Sequence, residues 1–427
     1  MLNRLLTVIP DSIKPIAFAL AALLVMIIIN LMIEPLLVIR LTHAGTSASQ
    51  IGIFGSCFWL GILGMSPWIP SLIKRFGLKL IYSIAGILPL ITLPIFWMQP
   101  NILLWSVCNL ALGAGASFRW VITESLIAQS APSEKRGQYI GFYQTLIALC
   151  FVIGPLLLSL IIKFFGAQSD LPFVIAAVGF LICFLSLYTM PAPQSDTEKP
   201  INKQFIPELI KKYLLIIVAA FLGGLYESGP SGFLAFIGLK HHFPSEWASA
   251  LVMVIGIGSF IIQAPIGMLA DRFALPKLLI ACNVMILTGS LILLLVNQHA
   301  ELTPLLFLIA LFWGGAGGAI YTLCIIYIGG LFKDLELITA TGVIIFTFNI
   351  GTTLGPTVTG LLYDFSPQYG ITSMLCVLTT AAMISFLKMR HHLATISMNE
   401  ANLELLKSEI PKGASDVPDT LSSSDRR

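Results

Sequence analysis

Residues 16–39 read IAFALAALLVMIIINLMIEPLLVI, a run in which Glu34 is the only ionisable side chain. As a helix rising 1.5 Å per residue it would reach about 36 Å, enough to cross a bilayer core of about 30 Å. Eleven more such runs follow, so the twelve lie near 16–39, 50–72, 79–98, 101–128, 138–164, 170–190, 213–237, 248–270, 277–296, 304–331, 338–363 and 370–388. Composition agrees: 57% of the 427 residues are hydrophobic and 11% are charged, against roughly 25% charged in a soluble domain. The fold class this imposes is an all-α membrane protein of twelve transmembrane helices.

The basic residues set the expected orientation. Lys74, Arg75, Lys79, Lys135, Arg136, Arg272, Lys277 and Lys333 lie in alternate loops, together with the basic ends of the chain. Excess Lys and Arg mark the cytoplasmic side, so both termini are expected there, in a multi-pass protein of a bacterial inner membrane. A net charge of +3 follows from this topology and calls for no nucleic-acid partner. The seven cysteines are scattered through the spans without C-x-x-C spacing, which points to neither disulfides nor a zinc site. Trp97, Trp105 and Trp247 sit near the outer ends of spans and read as interface anchors.

Two halves are separated by PAPQSDTEKPINKQFIPELIKK, a polar, proline-bearing stretch at 191–212 that reads as a cytoplasmic linker. The expected organisation is a six-helix bundle over 1–190, this linker, a second six-helix bundle over 213–389, and a cytoplasmic tail over 390–427 of disordered composition. The halves repeat. A shift of 197 residues lays Lys74-Arg75-Phe76 on Asp271-Arg272-Phe273 and Asn30 on Glu227, while a shift of 201 lays Gly154-Pro155 on Gly355-Pro356. Two parallel six-span repeats around a midplane cavity form a transporter architecture.

Ionisable groups inside spans are the candidates for function, since each costs roughly 2.5–3.5 kcal/mol to insert. Glu227 lies mid-span in span 7. Glu34 follows Asn30 by one turn on the same face of span 1. A carboxyl at such a place can hold a proton and release it when water arrives; the structural alternative is a hydrogen bond to a neighbouring helix. Arg119 is the basic residue deep in span 4, read either as a cavity cation that attracts a carboxylate or as the partner of an acidic residue on another span. Gln263, Trp313 and Tyr321 are further candidates for the pocket wall. WGGAGGA at 313–319 lets helices approach closely and lacks the strand-turn-helix setting of a nucleotide loop. No Walker sequence, metal cluster or cofactor motif is present, so an ATP-driven pump and an enzyme are both set aside.

GMLADRFALPK at 267–277 is similar to the G-x-L-A-D-R-x-G-R-K signature of the major facilitator superfamily, with Ala274 in place of the second glycine. PSEKRG at 132–137, CFVIGP at 150–155 and GTTLGPTVTG at 351–360 resemble further elements of that family, so the resemblance covers nearly the whole chain. It implies two pseudo-symmetric six-helix bundles with spans 1 and 7 on the cavity, working as a monomer with a small-molecule substrate, protons and the lipid bilayer as partners. It also implies gating residues. Gly267, Asp271 and Arg272 would face the start of span 5 and Arg136, while Lys74 would face Asp334 and Glu336 at the start of span 11. Gly154, Pro155, Gly355 and Pro356 would seal the helix interfaces. The function implied is a proton-coupled secondary transporter, similar to drug and metabolite antiporters and leaning to efflux. The alternatives are an importer of an organic anion such as a polycarboxylate siderophore and, in another class, a transporter-fold receptor or scaffold without flux.

Overall fold

The computed structural model describes residues 17–98, 100–130, 136–186, 205–332 and 334–388. Every regular element among the described residues is helical, and nine helices are long and apolar enough to cross a membrane unaided. Spans 6, 7 and 11 complete the twelve: span 6 is the short Leu171–Leu185, span 7 is broken, and span 11 is the long Asp334–Phe365, interrupted by polar threonines.

Proline shapes the rods. Span 2 runs as Ala48–Met65, a 3-10 turn at Ser66–Trp68 and Ile69–Phe76, with Pro67 and Pro70 at the two joints. Span 7, expected to be continuous over 213–237, is broken: Phe205–Ser228, itself kinked at Tyr213, is followed by Leu234–Lys240. Its break falls on Gly229-Pro230-Ser231-Gly232. Pro230 has no N–H and crowds the carbonyl four residues back, which leaves Tyr226 O without its helical donor. The Ser231 hydroxyl answers that carbonyl at 3.3 Å. Pro356 orphans Thr352 O in the same way, and Ser228 Oγ of span 7 donates to it at 2.8 Å. The break and the span 11 proline are thereby pinned to each other. Trp105 departs from its expected place at the membrane surface: it is fully buried, edge-on to Phe96.

The halves meet chiefly through two helix pairs, span 2 (Ala48–Phe76) with span 11 and span 5 (Arg136–Phe165) with span 8 (Ser245–Arg272). Both pairs are tight at one end only. On span 8, Gly256 is pressed against Phe151 of span 5, whereas Gly267, about three turns along the same face, has no neighbour among the described residues where a side chain would stand. On span 11, Gly360 lies against Ala48 of span 2, whereas Gly342, about five turns away on the same face, again has no such neighbour. The closed end carries the 43–48 and 365–370 turns. The open end carries the basic loops, where Lys74, Arg75, Arg272 and Lys277 are exposed. The two bundles therefore splay toward the basic end.

Candidate functional site

Between the splayed halves lies a cavity of about 380 Å³. The N-terminal half contributes Trp59 and Ile62 of span 2, Trp120 of span 4 (Ile102–Ser130) and Phe151 of span 5. The C-terminal half contributes Glu227, Ser259 and Gln263, with Tyr321 and Thr322 of span 10 (Leu306–Leu331) and Asn349 of span 11. Glu227 is the one charged side chain on this wall among the described residues, and no hydrogen bond or ion pair among those residues reaches its carboxyl. It sits in the last turn before the span 7 break, with its Cα and Cβ packed over Gly317 of span 10, which has no side chain to displace it.

Of the other expected wall residues, Gln263, Trp313 and Tyr321 are on the cavity. Thr322 Oγ1 donates to Gln263 Oε1 at 3.0 Å, Trp313 Nε1 donates to Ile286 O at 3.3 Å, and the Tyr321 ring lies 4.5 Å from that of Phe348. Asn30 and Glu34 are not on it. Asn30 Oδ1 is buried with no partner, and Glu34, on the same helix face, has no hydrogen-bond or charge partner among the described residues. Arg119 also points elsewhere. It is fully buried between spans 3, 4 and 6, donating to Cys183 O at 2.7 Å and Ser186 Oγ at 3.4 Å with its guanidinium 4.3 Å above the Tyr82 ring. Neither expected role for Arg119 is seen: it meets neither the cavity nor an acidic partner among the described residues.

The Gly-Pro elements stand at the crossings between helices. Gly154 admits Ile28 and Leu31 of span 1, and Pro155 O accepts from Ser249 of span 8 at 3.1 Å. Gly355 fits against Ser228 and Gly229 of span 7, while Pro356 packs on Gly52 and Gly55 of span 2. Of the loop residues expected to latch the basic end, Lys74, Arg272 and Glu336 are exposed, and no ion pair joins them among the described residues. The side chains of Arg136, Asp271 and Asp334 lie outside the described residues.

The model of the Major Facilitator Superfamily matches residues 16–262 and 216–411. The chain belongs to the major facilitator superfamily. It is a multi-pass membrane transporter, not an enzyme. Curated relatives include the "uncharacterized MFS-type transporter YcaD" of Escherichia fergusonii, 24% identical over 89% of this chain and 97% of that one. YfkF of Bacillus subtilis, described in the same words, is 23% identical over 77% and 83%. Among solved structures the fold matches a mutant form of the nucleoside transporter NupG with a TM-score of 0.72 at 15% identity, over 88% of this chain and 99% of that one. It matches a D-xylose-proton symporter with a TM-score of 0.69 at 14% identity, over 87% and 96%. At these identities the likeness carries the fold alone.

Trp59, Trp120, Ser259, Thr322 and Asn349 line the transporter's cavity without any mark in the sequence to single them out. Each is an ordinary residue in its run, and only the packing of the spans tells which face is inward. Asp364 is unmarked too. It stands at the closed end in the last turn of the helix Asp334–Phe365, just past the apolar run that ends near 363. There its carboxylate accepts from Ala48 N at 3.1 Å and Ser49 N at 2.8 Å.

Proposed function

We propose that the protein is a proton-coupled secondary transporter that moves a small organic solute outward across the inner membrane by alternating access. The observation that carries this reading is the unpartnered Glu227 carboxyl in a cavity walled by both halves. Closing such a cavity on a bare carboxylate at low dielectric costs several kcal/mol, so the carboxyl must take on a proton or a cation before the protein changes face. That obligation couples the two fluxes. By the bias of basic loops the open end is cytoplasmic, and the conformation is inward-facing. The lean to export rests on the Gly154-Pro155 element, where Gly154 packs on Ile28 and Leu31 of span 1 and Pro155 O accepts from Ser249 of span 8. The solved neighbours described as a nucleoside transporter and a D-xylose-proton symporter are in keeping with a small-molecule substrate.

The organic-anion alternative draws no support from the cavity wall, where no cation stands among the described residues. A scaffold without flux has no use for an unpartnered carboxyl on a cavity walled by both halves. Proteoliposomes under an imposed pH gradient separate the readings. Accumulation that follows the gradient, and that Glu227→Gln abolishes while downhill exchange persists, supports coupling. Gradient-independent behaviour of both proteins refutes it. Direction is read in a deletion strain, which should retain more of the solute if the protein exports it.

A further inference from the structure

The two walls of the cavity differ in kind. Both halves supply hydroxyls, but in the N-terminal half their hydrogens are already committed, leaving them as acceptors only: Ser66 Oγ donates to Ile62 O at 2.6 Å and Ser117 Oγ to Ala114 O at 3.0 Å. What that half then offers is the broad ring faces of Trp59, Trp120 and Phe151, with two indole N–H groups as its remaining donors. The C-terminal half holds the polar groups with capacity to spare. The side chains of Glu227, Ser259 and Asn349 have no hydrogen-bond partner among the described residues, and Gln263 is engaged only by Thr322.

A sugar-like solute presents hydroxyls on every side and needs donors and acceptors from both walls; here one wall offers two indole N–H groups and two serine oxygens amid ring faces and would leave most of them unpaired. An anion would face an unpaired carboxylate with no counter-cation. A cation attached to a flat ring system meets complementary groups everywhere: a carboxylate for its charge, amides beside it for its N–H groups, and indole and phenyl faces for its body.

Resting on the transporter reading above, we propose that the cavity takes an amphipathic aromatic amine. The cationic nitrogen sits at Glu227, flanked by Gln263 and Asn349, and the ring system lies against Trp59, Trp120 and Phe151. The C-terminal half reads the polar end, and the N-terminal half covers the apolar body without reading it.

The test is a matched series on one frame: 1-naphthylmethylamine, 1-naphthylmethanol and 1-naphthoic acid, titrated by calorimetry into the purified full-length protein near neutral pH. The amine should bind at least about tenfold more tightly than the acid, with the alcohol between them. Glu227→Gln should weaken the amine by about tenfold while moving the alcohol less than about threefold, whereas Trp120→Ala should weaken all three alike. If Glu227→Gln does not fold, the order of the three compounds on the wild type decides alone. An acid that binds as well as the amine, an alcohol equal to it, or absence of binding by all three overturns the proposal. Selective amine binding without gradient-driven flux would refute the transport reading and leave this one standing; coupled flux of some solute with no preference for the amine would do the reverse.

Discussion

Replacing Asp364 by alanine should open the far end of the protein. With the far end closed, this carboxylate closes a bond between the halves, with Oδ1 and Oδ2 on the amides of Ala48 and Ser49 at the start of span 2. Those amides are among the donors that a helix start leaves unpaired, and the partial positive charge there favours an anion. Two charge-assisted bonds with the helix-end term would reach about 3–6 kcal/mol if buried. Asp364 is exposed, so solvent screening reduces the net to about 1–2 kcal/mol. The bond exists only while the far end is closed. Its loss should therefore shift the ratio of molecules with the far end closed to those with it open by roughly 5- to 30-fold toward open.

The shift can be read by double electron–electron resonance between nitroxides at Thr46→Cys and Gln368→Cys, which flank the closed end. Asp364→Ala should raise the long-distance population, and Asp364→Asn should do so by a smaller amount. An unchanged distance distribution would refute the latch. The pH dependence has a definite sign. Burial raises the Asp364 carboxyl, but hydrogen bonds from Ser49, Ala48 and Ser47 outweigh it and hold the group below its ordinary value of 3.8. A lowered value in the closed state means that the bias is fully present above the ordinary value and is lost as pH falls through the lowered one. Titration near neutrality should leave the latch untouched, so it is not the proton sensor.

Other sites give independent tests. Gly52→Val puts a side chain into the backbone of Pro356 and Thr357, so it should block far-end closure and slow exchange in liposomes while the protein still inserts; wild-type exchange rates would count against the close approach as the closing surface. Ser228→Ala leaves Thr352 O buried without a donor and should lower stability by about 1–3 kcal/mol in a thermal or denaturant assay, with Ser228→Thr partly restoring it. Lys74→Asp should impair transport, and adding Asp334→Lys with Glu336→Lys should restore some of it. Normal transport by Lys74→Asp alone would show that the basic end is not latched by this charge.

The spans are legible in the sequence because twenty apolar residues in a row admit few other readings, and the Gly-Pro elements because the same pair recurs in both halves. Side-chain direction is not. Arg119 announces itself as costly, yet whether it turns to the cavity or to Cys183 and Tyr82 depends on the rotation of span 4 against spans 3 and 6. The internal repeat lays Asn30 on Glu227 and implies equivalent roles, but the structure puts only Glu227 on the cavity wall. Pseudo-symmetry governs backbone packing, whereas the two cavity walls carry different chemistry. Asp364 gives no signal, being one acid at a helix end whose partner is more than three hundred residues away.

The break in span 7 is written in plain sight as Gly229-Pro230-Ser231-Gly232 and is hidden by the apolar residues on either side. Its position links the site to the gate. The half-helix before it carries Glu227 and is fastened to span 11 by Ser228 on Thr352 O; the half-helix after it, Leu234–Lys240, packs against spans 1 and 8 at the closed end. Opening that end has to part Leu234–Lys240 from span 1, which belongs to the other half. With Tyr226 O already answered by Ser231, a bend at the joint leaves that carbonyl its donor, and Glu227 can keep its place over Gly317 while the segment beyond it moves. A continuous helix over 213–237 would transmit that movement straight into the carboxyl. The broken one lets the charge on Glu227 and the closure of the far end be set by neighbouring but separate rods.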